Sequence, residues 1–586
     1  MIQLVIPEVC VPDLDLDLGP NSIICHSSLH NIYFTHSVKM SHTVVRGKPT
    51  ASQLYLDGVL DEVLLEKGIK PDNAQRATVT LSQLMFHCLK RNLDATFLTN
   101  GATGEIITNE QLLRHAVSLA RALIADGAIG KRVMLLMRNH HRMTYVYFAA
   151  MFSGIEFFCA DPNTTAYELT NVLKLIEPSY IFYDRQYDTI LHEALKNANL
   201  KKPSLFIVDE PQHLITFIGD NSGDIESYRV PNASPADTVM LLPTSGSTGL
   251  PKAAALSHVG MIAQLPTIWN YHTKFPTPTN LAMILTSIQW ATFTMTLTTC
   301  VVYHVPVLIS PRINTVESVT KLLETYRPTW TFLTPAFASS LAPVIRPDQL
   351  KSLEILILLG APASPKLINL LQEKLPKTAQ LCNGYGCTES QGFIALPDKD
   401  TPTGVNGWVI NCLHYKIVDE NEKTLGPNQS GELYVKGTCI IEKYHKNDSC
   451  YKESFTSDGW YKTGDRFYVD ENERITFVVR IKFSFKFRGC QVSPEEVEGV
   501  IFSVPGVLES LVCATDNGPA AAVVKRPDAK VTKEQIHKIV NGLLSDHKRL
   551  HGGIVFVPSL PHTHTGKVDR REGSKLILEA VSNGQC

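Results

Sequence analysis

The sequence predicts an α/β protein: a large N-terminal domain of mostly parallel sheets covered by helices, followed by a small, mobile α+β domain. Three observations carry that expectation. At 586 residues the chain is longer than one hydrophobic core supports, so at least two domains follow. Through the first half, short apolar runs alternate with helical patterns, the signature of a parallel sheet covered on both faces. Late in the chain the texture changes, and the last hundred or so residues are richer in charge.

The elements can be justified in order. Thr108 and Gln111 stand at capping-box spacing, and Leu112, Leu113, Ala116, Leu119, Ala120 and Leu123 recur at helical spacing before Gly127, which reads as one amphipathic helix. The runs RVMLLM (132–137), EFFCA (156–160), YIFYD and LFIVD then read as buried strands. From Phe275 to Pro311 there is no Asp, Glu, Lys or Arg, enough length for a bilayer span. Pro276, Pro278 and Pro306 interrupt it, and Thr292, Thr294, Thr296, Thr298 and Thr299 stud it, which favours a buried core helix and strand. After GELYVKG and ITFVVRIKFSFKFRG a boundary is expected near Val479 to Lys482. The division is then an extension of residues 1–45 that matches no motif, a large domain of 46–478 and a small domain of 479–586.

Composition narrows the function. Hydrophobic residues make up 44% and charged residues 19%, and 55 basic against 57 acidic residues leave a net charge of -2, so nothing in the bulk charge favours nucleic acid. Thirteen cysteines, scattered and without a C-x-x-C pair, suggest neither a disulfide framework nor a zinc site, and a reducing, cytoplasmic setting is expected. The first twenty residues carry three aspartates, one glutamate and no basic residue, unlike a secretory or transit leader. The sequence ends VSNGQC, which is no peroxisomal Ser-Lys-Leu address.

The chemically telling stretch is LLPTSGSTGLPKAAALSH, Leu241 to His258. A strand that empties into glycines, hydroxyls and one lysine can cradle phosphate, because glycines admit backbone N–H groups to the oxygens while hydroxyls donate and lysine adds charge. It is not a Walker loop, since Pro251 separates Gly249 from Lys252 and Ala253 follows the lysine. Alone, such a loop is more often a turn. By the same standard, Glu389 alone reads as a solvated carboxylate, Asp465 as a turn residue and Lys567 as surface charge.

Their order changes the reading. SGSTGLPK is followed by LLGAPAS (358–364), NGYGCTES (383–390), GWYKTGD (459–465), RIKFSFKFRGCQVSPEEVE (480–498) and HTHTGKVDRR (562–571). This series resembles the adenylate-forming superfamily, which includes acyl-CoA synthetases, 4-coumarate:CoA ligases, beetle luciferases and free-standing adenylation domains. The likeness runs from about residue 80 to the end. It implies an ATP-dependent carboxylate:CoA ligase, an acid-thiol ligase that forms an acyl-adenylate with pyrophosphate release and then a thioester, with ATP, Mg²⁺ and coenzyme A as cofactors.

The resemblance also assigns parts. Ser245, Gly246, Ser247, Thr248, Gly249 and Lys252 would embrace the β- and γ-phosphates. Thr388 would touch the α-phosphate and Glu389 would hold Mg²⁺. Gly360, Ala361, Pro362 and Tyr385 would flank adenine, Asp465 would accept both ribose hydroxyls with Arg480 assisting, and Lys567 would meet the charge developing at the α-phosphate. In the thioester step the small domain would rotate, bringing Lys486 and Gly489 to the pantetheine path. Only about twenty residues follow Lys567, so free coenzyme A is the expected acceptor.

Several positions depart from the family pattern: Val479 at the hinge, Leu359 before the adenine loop, Ala253 after the lysine, and a short CATDNGPAAAVV (513–524) where relatives carry an acidic loop. Gln289 and Trp290 stand at the acyl pocket, where Trp290, Phe293 and Phe393 would line an apolar cavity for a medium- or long-chain acid. A catalytically degenerate binding protein and a luciferase-type oxygenase remain the alternatives. Phe393 stands where luciferases keep a small residue for flat luciferin. The resemblance also allows a peroxisomal location.

Overall fold

A run of four or five apolar residues is too short for a helix and buries both faces only inside a sheet. The chain uses its runs in this way. The computed structural model describes residues 49–164, 166–244, 252–270, 272–310, 315–481, 485–487, 490–492, 494–544, 546–563 and 567–584. One sheet of the large domain orders six strands as Ser204–Ile207, Tyr180–Tyr183, Val133–Leu136, Phe157–Cys159, Thr238–Thr244 and Lys252–Ser257. Its pairs are parallel except for the last, an antiparallel pair in which Thr244 faces Lys252.

The second sheet orders Gln380–Asn383, Ile355–Leu358, Trp330–Leu333, Ala282–Ile284, Val307–Ile309, Thr96–Asn100 and Ile106–Thr108, with only the final pair antiparallel. Because neighbouring strands run the same way, the segments that follow Ile284, Leu358 and Asn383 leave one edge together. Ligand crevices of open parallel sheets form at such carboxyl ends. The helix Asn109–Ala125 begins on its expected capping box: Gln111 N donates to Thr108 Oγ1 at 3.2 Å, and Thr108 N donates to Gln111 Oε1 at 2.9 Å.

The uncharged stretch is core. It contributes the strands Ala282–Ile284 and Val307–Ile309 and the helix Ala291–Val302, of which all but the first two residues are buried. Its threonines satisfy their hydroxyls internally, as burial demands. Thr296 donates to the Thr292 carbonyl at 2.6 Å, Thr298 to Thr294 at 2.8 Å and Thr299 to Leu265 at 2.9 Å, and the Trp269 indole N–H donates to Thr299. Among the described residues no helix is long and apolar enough to cross a membrane.

A four-stranded antiparallel sheet, Leu413–Val418, Gly431–Gly437, Tyr461–Val469 and Ile475–Arg480, completes the large domain. In the small domain the helices Pro494–Phe502, Lys533–Leu543 and Arg570–Ser582 accompany the strands Val507–Thr515, Gly518–Lys525 and Gly553–Phe556. The short CATDNGPAAAVV is explained by this hairpin: only Asp516 and Asn517 join its strands, and Thr515 faces Gly518. A buried ion pair ties the last helix to the first. Arg570 Nη1 donates to Glu498 Oε1 at 2.9 Å and Nη2 to Oε2 at 2.5 Å, while Val512 N donates to Oε1 at 2.7 Å.

Breaking a buried pair from one side leaves the other charge stranded and costs about 3–5 kcal/mol. Arg570→Met should therefore bring forward a urea-unfolding transition of the small domain by a loss of that order. An unchanged midpoint would show that the pair contributes nothing.

Candidate functional site

The turn after Asn383 is shaped by glycine and glutamine. A Cβ on Gly386 would collide with the carbonyl of Gly392, and Gln391 takes a left-handed φ of 56°, so the chain doubles back tightly. Gln264, on the helix His258–Gln264, pins the turn: its Nε2 donates to the carbonyls of Ser390 at 2.9 Å and Phe393 at 2.8 Å, and its Oε1 accepts from Phe393 N at 3.2 Å. Thr388 is half-buried and Glu389 is 7% exposed.

Glu389 is a buried carboxylate that must find donors, and it finds two hydroxyls. Thr244 Oγ1 donates to Oε1 at 3.0 Å and Tyr444 OH to the same oxygen at 2.8 Å. Oε2 accepts no hydrogen bond among the described residues, which leaves a hard oxygen donor of the kind Mg²⁺ takes. Tyr444 reaches this place because the segment before it lies along the edge strand Lys252–Ser257, with Ala255 N donating to Lys443 O at 3.2 Å and His445 N to Ala253 O at 2.8 Å. Its ring lies 5.2 Å from the ammonium of Lys252. Lys252 is 7% exposed and forms no ion pair among the described residues, an arrangement that suits an anionic ligand.

A second polar cluster lies on the antiparallel sheet. The register sets Asp465 directly opposite Arg480, so both side chains share a face, and Arg480 Nη1 reaches Oδ1 at 3.0 Å and Oδ2 at 2.9 Å. Tyr385 OH donates to Asp465 Oδ2 at 2.6 Å, connecting the cluster to the Glu389 turn. Burial pushes the Asp465 carboxyl above its ordinary value, and Arg480 and the Tyr385 hydroxyl pull it only part of the way back. The same burial and the neighbouring carboxylate raise the Tyr385 phenol.

Lys567 of the small domain completes the arrangement. The residue is exposed overall, yet its ammonium lies 5.6 Å from the centroid of the Trp290 ring. Burial and the nearby Arg480 lower its pKa, against the opposing pull of Asp465, Cys387 and Glu389. Lys567, Asp465, Arg480, Tyr385 and Glu389 are thus brought together.

Other expected residues fall as follows. Gly360 holds a φ of 93° on an exposed loop with Ala361 and Pro362, a conformation that favours glycine. Gln289 is buried, its Oε1 without a hydrogen-bond partner among the described residues, and Phe293 is fully buried. Phe393 is also fully buried, stacked on Phe332 at 6.1 Å. Ser245, Gly246, Ser247, Thr248, Gly249 and Gly489 lie outside the described residues, as does the side chain of Lys486. Thr244, Gln264 and Tyr444 were not anticipated from the sequence, where they carry no motif. The one available signal is position: Thr244 lies within the Leu241–His258 stretch, immediately before Ser245, Gln264 follows that stretch, and Tyr444 follows a predicted strand.

The profile of the AMP-binding enzyme family matches residues 85–445, and that of the AMP-binding enzyme C-terminal domain matches residues 496–567. A luciferin 4-monooxygenase of Photuris pensylvanica is 28% identical over 84% of this chain and 94% of its own length. A 4-coumarate–CoA ligase 2 of Oryza sativa subsp. japonica is 28% identical over 82% and 89%. The ATP-bound crystal structure of MatB from Rhodopseudomonas palustris superposes with a TM-score of 0.75 at 22% identity, covering 86% of this chain and all of that one, which is likeness of fold.

The raised Asp465 carboxyl has a consequence for stability. Between the ordinary carboxylate value and the raised native one, the native state holds more protons than the unfolded state, so stability falls as pH rises through that window. Asp465→Asn removes this slope, at little cost to the half-exposed Arg480. Its urea midpoint should match the parent near pH 4 and exceed it near pH 7. A difference between the two proteins that is the same at both pH values would contradict the assignment.

Proposed function

This chain belongs to the AMP-binding enzyme family, and on that premise we propose that it is an ATP-dependent carboxylate:CoA ligase for medium- or long-chain apolar acids. The observation that carries the reading is the meeting of Lys567 with Asp465, Arg480 and Glu389, because adenylate formation needs a cation, a ribose acceptor and a metal-binding carboxylate at one place.

Adenine packs against Gly360, Ala361, Pro362 and Tyr385, and the ribose hydroxyls donate to Asp465 with Arg480 beside them. Lys252 and the 245–249 loop take the β- and γ-phosphates, and Thr388 faces the α-phosphate. Glu389 would hold Mg²⁺, which when bound would supply charge to offset that of the phosphates. The acid carboxylate attacks the α-phosphorus, the bond to pyrophosphate breaks, and Lys567 offsets the negative charge that grows in the transition state. The boundary near Val479 to Lys482 serves as the hinge about which the small domain turns, so that Lys486 and Gly489 replace Lys567 when the coenzyme A thiol displaces AMP.

The half-buried indole of Trp290 supports an apolar acid; Phe293 and Phe393, expected beside it, are fully buried and packed into the core, so they present no surface to a ligand in this arrangement. The similarity to curated CoA ligases supports coenzyme A as acceptor.

Pyrophosphate release across a panel of fatty and aromatic acids, with and without coenzyme A, tests the reading. Release should be greatest with apolar chains. Lys567→Ala should lower adenylate formation on the order of 10²-fold or more, while purified acyl-adenylate is still converted to thioester. Absence of pyrophosphate release with every acid in the panel would favour a binding protein without catalysis, and light from beetle luciferin would favour an oxygenase.

A further inference from the structure

We propose that Trp290 is a positioning residue that holds the Lys567 ammonium in the orientation used for adenylate formation; the proposal rests on the ligase reading above. Trp290 is rigidly placed. It caps the buried helix Ala291–Val302, its N–H donates to the Ser287 carbonyl at 3.1 Å, and its carbonyl accepts from Phe293 N at 3.0 Å. Lys567 sits across the site on the small domain, where Thr563 N donates to its carbonyl at 2.7 Å and His562 bridges Val568.

The 5.6 Å between ammonium and indole centroid is within the reach of a cation–π contact, and Trp is the strongest partner for one. Among the described residues Lys567 forms no ion pair, which leaves the indole face as its direct anchor. The choice of an aromatic has a chemical reason. A carboxylate at position 290 would neutralise the cation and occupy its donors, whereas an indole attracts it through the ring quadrupole and leaves the N–H groups free for an incoming oxygen. Trp290 lies within the segment matched by the AMP-binding profile and Lys567 ends the segment matched by the C-terminal one, so the contact bridges two separately recognised parts of the chain. Rotation of the small domain must break it. Among the nearby groups Arg480 repels the ammonium while Asp465 and Glu389 attract it, and the indole adds its short-range pull to theirs.

The test uses the full chain and two readouts. In Trp290→Leu, brief acylation of amines followed by peptide mass analysis should label Lys567 about 3- to 10-fold faster than in the parent, with a smaller increase in Trp290→Phe. Lys525, which lies over Phe556 at 3.6 Å, serves as the internal reference and should not change. A rise at Lys525 as well would report misfolding, and Trp290→Phe then carries the comparison. In pyrophosphate exchange, Trp290→Leu should slow adenylate formation about 3- to 10-fold in the parent background and have little effect on the rate when Lys567 is already alanine.

Unchanged labelling of Lys567, or an equal loss of exchange in both backgrounds, overturns the proposal. If no acid supports exchange in the parent, the ligase reading fails, and labelling alone decides whether Trp290 anchors the lysine.

Discussion

Much of the site follows from one constraint: the carboxylate of Glu389 is buried, and a buried charge must be given donors. The two it receives come from distant parts of the chain, Thr244 at the end of the strand Thr238–Thr244 and Tyr444 in the connection between the strands Gly431–Gly437 and Tyr461–Val469. Satisfying Glu389 therefore fixes where the Thr388–Ser390 turn sits relative to the strand that leads into the 245–251 segment. It also sets Tyr444 beside Lys252, so that a buried cation and a buried carboxylate lie on either side of one phenol. Gln264 holds the same turn from the opposite side through three hydrogen bonds, and Gly386 permits the close backbone approach.

The polar groups around this turn are arranged for a ligand more than for stability. Burial holds Asp465 above its ordinary range, and among the described residues Lys252 forms no ion pair and one oxygen of Glu389 accepts no hydrogen bond. Each is a cost that an adenine nucleotide and a divalent cation would offset, which is the sense in which such a site is preorganised. The threonine-rich helix and the Glu498–Arg570 pair, by contrast, satisfy their polar groups internally.

The legible part of the fold was local. The Thr108 capping box, the apolar strands from Arg132 onward and the buried character of the 275–310 stretch all depend on neighbours within a few residues, and sequence patterns report such neighbours well. The motif residues of the site were legible through their order along the chain. What escaped was long-range: Thr244 and Tyr444 meet Glu389 across 145 and 55 residues, and no periodicity encodes that. Trp290 was noticed as a departure in the acyl pocket, but its contact with a lysine 277 positions later could be seen only in three dimensions. Val479 reads from sequence as the hinge position. It lies in the strand Ile475–Arg480 opposite Arg466 and is 3% exposed, so an aspartate there would bury a carboxylate as well as alter the hinge. That burial depends on which face of the sheet packs inward, information that one short strand does not carry.

The account stands on the claim that the Asp465, Tyr385 and Glu389 cluster receives the nucleotide. A crystal structure of the full chain with AMP tests this most directly. Adenine should lie against Gly360, Ala361 and Tyr385, with both ribose hydroxyls on Asp465 and the Tyr385 hydroxyl displaced from Oδ2. AMP bound elsewhere, or bound with the Tyr385–Asp465 hydrogen bond intact and the ribose facing solvent, would contradict it.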